Sequence, residues 1–129
     1  MTFIEHIGDL RAFYGACSVV VAPSHLDGQP AVAVEGMAAG RPVIVTSTCG
    51  VSAFVTEHEN GLIVPPGSPD ALREAMRWFV DDPVRVRVCG ARARETYDRF
   101  DFDRYGQSLA ADMATDAAAD RVTDRQASR

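Results

Sequence analysis

The chain has 129 residues, a formal net charge of -5, 47% hydrophobic and 24% charged residues. That length suits one domain with one core, and the apolar share argues against a chain disordered throughout. An acidic balance with no Lys/Arg cluster argues against extended nucleic-acid contact, which needs many cationic groups on phosphates, but it leaves a small phosphorylated ligand open.

In chain order, Thr2 to Ile4 is a short apolar stub and reads as a strand remnant. Asp9 is placed to cap a helix from about Leu10 to Ala16, on which Leu10, Phe13 and Tyr14 share one face. Ser18 to Ala22 (SVVVA) is rich in β-branched residues and is followed at once by Pro23, which suits a strand buried on both faces of a parallel sheet. SHLDGQP is a loop of turn formers. Pro30 then opens a helix, AVAVEGMAAG, with Gly40 at its stop position. Pro42 to Thr46 (PVIVT) is a second buried strand. CGVSAF is a turn with room for one short helical turn, and Leu62 to Val64 is a third strand.

From Ser68 the pattern becomes helical. SPDALREAMRWFVDD has apolar positions at Leu72, Met76, Phe79 and Val80 and stops at Pro83. Val84 to about Arg99 forms another helix, with Val88 and Ala91 inward and its arginines outward. A further helix begins near Asp101. Residues 1–111 then form one α/β unit, a partial Rossmann-like parallel sheet followed by C-terminal helices. Residues 112–129, poor in large apolar side chains, read as a mobile tail. Cys17, Cys49 and Cys89 match no metal spacing and read as reduced thiols; no metal site is expected. Without a signal-peptide pattern or an apolar run near the ~20 residues of a spanning helix, a cytoplasmic, soluble chain is expected.

The chemistry concentrates between Ser18 and Thr46. Ligands of open α/β sheets lie outside the carboxyl ends of the strands. The helix starting near Pro30 offers free N–H groups and a partial positive charge there, suited to phosphate or sugar oxygens, and Gly28 allows close backbone approach. Asp27 precedes the helix start. Glu35 lies about 7 Å along the axis from that start, with its side chain leaning back toward it. Both acids can therefore face one ligand. Glu35 interrupts an apolar string, where a carboxylate is costly to bury unless it meets hydroxyls or a cation. The plainer alternatives are a solvated helix face for Glu35 and a turn role for Asp27.

The string PSHLDGQPAVAVEGMAAGRPVIVT resembles the donor-site segment of retaining glycosyltransferases of family 4, which have the GT-B fold. Pro23, Ser24, Gly28, Pro30, Glu35, Met37, Ala38, Gly40, Pro42 and Val43 match in register. The flanking stretches YGACSVVVAPS, NGLIVPPGSPDAL and RARETYDRFDFDRY match as well. The resemblance implies transfer of a hexose, with retention of configuration, from a UDP- or GDP-type sugar nucleotide, without a cofactor. By the same resemblance Asp27 and Glu35 form the acidic pair of the catalytic site: Glu35 accepts hydrogen bonds from the nucleotide ribose, and Asp27 contacts donor-sugar hydroxyls. The backbone of Gly28, Gln29, Pro30 and Ala31 meets sugar and diphosphate, and Ser24, Cys49, Gly50 and Val51 line the same crevice. Asp27 stands for Glu, Gln29 for an aromatic residue, and Ser52 and Ala53 for Pro and Glu of the family pattern.

The family's donor domain has six strands in the order 3-2-1-4-5-6. The resemblance places a remnant of strand 3 near Thr2 to Ile4, then strands 4, 5 and 6. Strands 1 and 2, the diphosphate-neutralising Arg/Lys pair and the acceptor domain with its catalytic His are expected to come from elsewhere, in a longer, membrane-peripheral enzyme or in a complementing chain. Alone, the chain is expected to be inactive and to self-associate through the exposed SVVVA edge. A non-catalytic half-domain and an inactive relic are the competing readings.

Overall fold

The computed structural model describes residues 2–99. The expected helix near Asp101 and the tail from 112 lie outside them. The elements are α1 (Leu10–Ala16), β1 (Val20–Ala22), α2 (Ala31–Ala38), β2 (Val43–Thr46), a 3-10 turn (Gly50–Phe54), β3 (Gly61–Val64), α3 (Pro69–Val80) and α4 (Pro83–Arg99). The three strands form one parallel sheet in the order β1-β2-β3, with Val20 opposite Val43 and Val43 opposite Gly61.

Local chemistry explains the boundaries. Asp9 caps α1 by accepting from Ala12 N at 3.0 Å, and Ser68 caps α3 by accepting from Ala71 N, with Pro69 as the first helical residue. α2 ends in a Schellman turn: Gly40 takes a φ of 69°, its N–H donates to Met37 O, and Arg41 N donates to Gly36 O.

Both faces of the sheet are covered, as its β-branched runs require. Val20, Ala22, Val43 and Val45 pack with Ala33 and Met37 of α2 and Ala93 of α4. On the other face Ile44, Leu62 and Val64 pack with Ala75 and Phe79 of α3 and Cys89 of α4. Gly36 makes the first contact possible, since a Cβ there would stand 2.7 Å from Val20 Cγ2.

Two expectations are corrected. Thr2 to Ile4 is not a strand, and Phe3 and Ile4 are exposed; no strand of the described residues lies beside them to supply hydrogen bonds. On α4 the inward residues are Cys89, Gly90 and Ala93, while Val88 and Ala91 face out. The crossing selects small side chains: a Cβ on Gly90 would come within 2.3 Å of Gly40 O. On α3, Met76 and Val80 are 47% and 76% exposed. They border an apolar cleft of about 350 Å³ beside β1, together with Val19 and Val21. No helix of the described residues is long and apolar enough to cross a membrane.

Candidate functional site

The loops that leave β1 and β2 at their carboxyl ends are tied together. Asp27 and Cys49 form an isolated parallel bridge, and Gly50 N donates to Asp27 O at 3.0 Å. A Cβ on Gly50 would stand 1.8 Å from Gly28 O, whereas one on Gly28 would meet nothing within 4 Å. Within the chain, close approach therefore requires glycine at Gly50, and Gly28 keeps an open side. Beneath this junction lies a small polar knot. The buried Thr46 hydroxyl donates to Ser24 O and sits 3.1 Å from Cys49 Sγ. Thr46 fixes the start of the β1–α2 loop, a role that no sequence pattern flags.

Asp27 is half-buried. Its Oδ1 accepts from Gln29 N at 3.2 Å, a local turn of the kind short acidic side chains favour, and its Oδ2 has no hydrogen-bond partner among the described residues. Gly28, Gln29 and Ala31 are exposed, Ser24 is half-buried and Pro30 is buried. Pro30 occupies the N-cap of α2 without a side-chain cap. Its carbonyl accepts from Ala33 and Val34, so the N–H groups of Ala31 and Val32 stay without acceptors among the described residues. The helix mouth thus presents donors and a positive dipole end beside Asp27. Val51 is 0% exposed; its side chain belongs to the core, and only its main chain could meet a ligand.

Glu35 is half-buried on α2. Its Oε2 accepts from the Tyr14 hydroxyl at 2.7 Å. The hydroxyl this carboxylate requires is therefore provided, at least on one oxygen, by α1. Tyr14 itself is 5% exposed. Burial, and then the hydrogen bond and charge of Glu35, push its phenol up to about 12. Arg41 also grips α1, donating from Nε to Tyr14 O and from its guanidinium to Gly15 O, both at 2.8 Å. The sequence places Tyr14 on the packing face of α1, and its polar tip on that face is the available signal.

A cleft of about 400 Å³ opens at the same strand ends on the α3 side, between His25, Thr46, Pro65 and Leu72. Neither Asp27 nor Glu35 lines it, so the acidic pair and the cleft flank the strand ends separately.

Residues 1–96 match the family of glycosyl transferases group 1. The D-inositol 3-phosphate glycosyltransferase of Kineococcus radiotolerans is 31% identical over 129 aligned residues, covering 94% of this chain and 28% of that protein. Sucrose-phosphate synthase of Thermosynechococcus elongatus superposes with a TM-score of 0.68 at 32% identity, over 83% of this chain and 27% of that one. HepE of Anabaena, solved in complex with UDP-glucose, superposes with a TM-score of 0.69 at 23% identity, over 84% of this chain and 30% of that one, a likeness of fold. The chain thus spans under a third of the length of these proteins. Its α/β architecture is that of the GT-B glycosyltransferases, and the chain belongs to the glycosyl transferases group 1 family.

Proposed function

We propose that the chain is the carboxyl-terminal, donor-binding part of a retaining family 4 glycosyltransferase that transfers a hexose from a UDP- or GDP-sugar. The observation that carries this reading is the α2 mouth: unaccepted N–H groups of Ala31 and Val32, at the carboxyl ends of parallel strands, with Asp27 in the preceding loop and Glu35 on the same helix. Diphosphate oxygens suit those amides and the positive helix end. Glu35 takes ribose hydroxyls, and Asp27, through its unpaired Oδ2, takes donor-sugar hydroxyls. The main chain of Gly28, Gln29, Pro30 and Ala31 borders the sugar and diphosphate, with Ser24, Gly50 and Val51 behind it. HepE, with its bound UDP-glucose, lends the donor class.

Departure of the diphosphate needs electrostatic stabilisation, and this chain offers amides for it but no adjacent Arg/Lys pair. The reaction is therefore completed by further sequence of the enzyme or by a complementing chain, and the chain alone transfers nothing. Calorimetric titration with UDP-glucose and a GDP-hexose tests the site. Loss of a charged hydrogen-bonding group in Glu35→Ala should weaken the preferred donor by about 10- to 100-fold. Equal affinity in parent and variant, or hexose transfer by the chain alone, would refute the corresponding part of the reading.

A further inference from the structure

We propose that Tyr14 is a positioning residue for Glu35, holding one carboxylate oxygen so that the other is presented to the nucleotide ribose. The inference rests on the reading of Glu35 as the ribose-binding acid, and it extends the site to a residue 21 positions upstream on a separate helix.

The Tyr14 hydroxyl donates to Glu35 Oε2 at 2.7 Å, while Oε1 has no partner among the described residues. A glutamate on a helix surface samples several rotamers. A short hydrogen bond from a fixed donor selects one of them, and the lone pairs left over remain available to a second hydroxyl. The donor here is unusually well fixed. The Tyr14 ring is buried with Val20 and Ala22 and meets Phe13 edge-on at 5.4 Å.

Arg41 completes the arrangement. It follows the end of α2 and holds the carbonyls of Tyr14 and Gly15. The seven-residue α1 is thereby attached to the α2 unit at both the backbone and the phenol of one residue. With its ionisation pushed up to about 12, the phenol remains a donor throughout the neutral range.

The test compares UDP-glucose with its 2′-deoxyuridine counterpart, by calorimetry, on the parent chain, Tyr14→Phe and Glu35→Gln. The expected result is a ribose preference in the parent that falls about tenfold in Tyr14→Phe, with the deoxy ligand unaffected and the circular dichroism unchanged. Equal weakening of both ligands would mark Tyr14 as merely structural and overturn the proposal. So would an undiminished preference in Tyr14→Phe, with Glu35→Gln abolishing it; in that case the role of Glu35 survives. A preference untouched by Glu35→Gln, or no nucleotide binding by the parent, overturns the ribose reading and Tyr14's role with it. Independently of any ligand, ultraviolet titration should show the phenol ionising near 12 in the parent and lower in Glu35→Gln. Since burial raises the phenol first and Glu35 adds to it, an ionisation unchanged between the parent and Glu35→Gln would mean the hydrogen bond is not made.

Discussion

The two edges of the sheet are finished in opposite ways. At β3 the chain closes its own edge. Residues 57–60 fold back so that Glu57 bridges Gly61, its carboxylate accepts from Ile63 N, and His58 N donates to Gly61 O. Asn60, 3% exposed, locks the turn through Thr56 N, Phe54 O and the Thr96 hydroxyl. At β1 nothing comparable exists among the described residues. β1 pairs only with β2, and the apolar cleft beside it leaves Met76 and Val80 uncovered. An open edge flanked by apolar surface is a template for pairing. The difference separates a covered edge from one left open among the described residues, and α2, the helix proposed to bind the donor, packs on the strand at the second.

The largest expected effect breaks the closed edge. Asn60→Ala removes three part-buried hydrogen bonds, with Thr56 N, Phe54 O and the Thr96 hydroxyl, and should cost about 2–4 kcal/mol by urea denaturation. A glycine pair sharpens the contrast. Gly61→Ala drives a Cβ to 2.4 Å from Val43 O, a backbone atom, and should cost about 1–3 kcal/mol. Gly36→Ala meets the Val20 side chain and gains about 1 kcal/mol of helix propensity, so its net loss should be smaller.

A further effect appears only at high pH. Tyr14 ionises near 12 when folded, against 10.0 for an ordinary phenol. The folded state then holds its proton more tightly. That stabilisation is complete below about pH 10 and is lost as pH rises toward 12. Denaturation of the parent across this window should show the decline, and Tyr14→Phe should flatten it. The smallest change in stability, within about 0.5 kcal/mol, is expected for Met76→Lys with Val80→Lys. Those substitutions place charge beside the open edge. Sedimentation equilibrium should show the parent self-associating and the double variant much less so; a monomeric parent would sink the distinction between the edges.

Much of this was legible because it depends on near neighbours in the sequence. SVVVA and PVIVT are continuous β-branched runs, and a run of that kind has few resting places other than a strand covered on both sides. Asp9, Ser68-Pro69 and Gly40 mark helix ends through bonds spanning a few residues. That Asp27 precedes α2 and Glu35 lies on it follows from the helix start alone. The failures share one cause. Val88 and Ala91 read as inward because they are apolar, but the backbone approach at Gly90 requires small residues on the inward face. Met76 and Val80 count among the apolar positions of α3, yet among the described residues they stay exposed. The close approach within the chain at Gly50 carries no local signal either, because its neighbour Gly28 arrives from another loop.

The sequence by itself determined the strands, the capped helices and the presence of two acids around one helix start, since these are set by periodicity and by chemistry within a few residues. Only the tertiary structure decided that Tyr14 reaches Glu35, that Thr46 secures the loop before Asp27, and that among the described residues β1 has no second neighbouring strand. Those outcomes depend on contacts between segments twenty or more residues apart, or on the lack of any such contact, and a side chain carries no record of which distant backbone will arrive beside it.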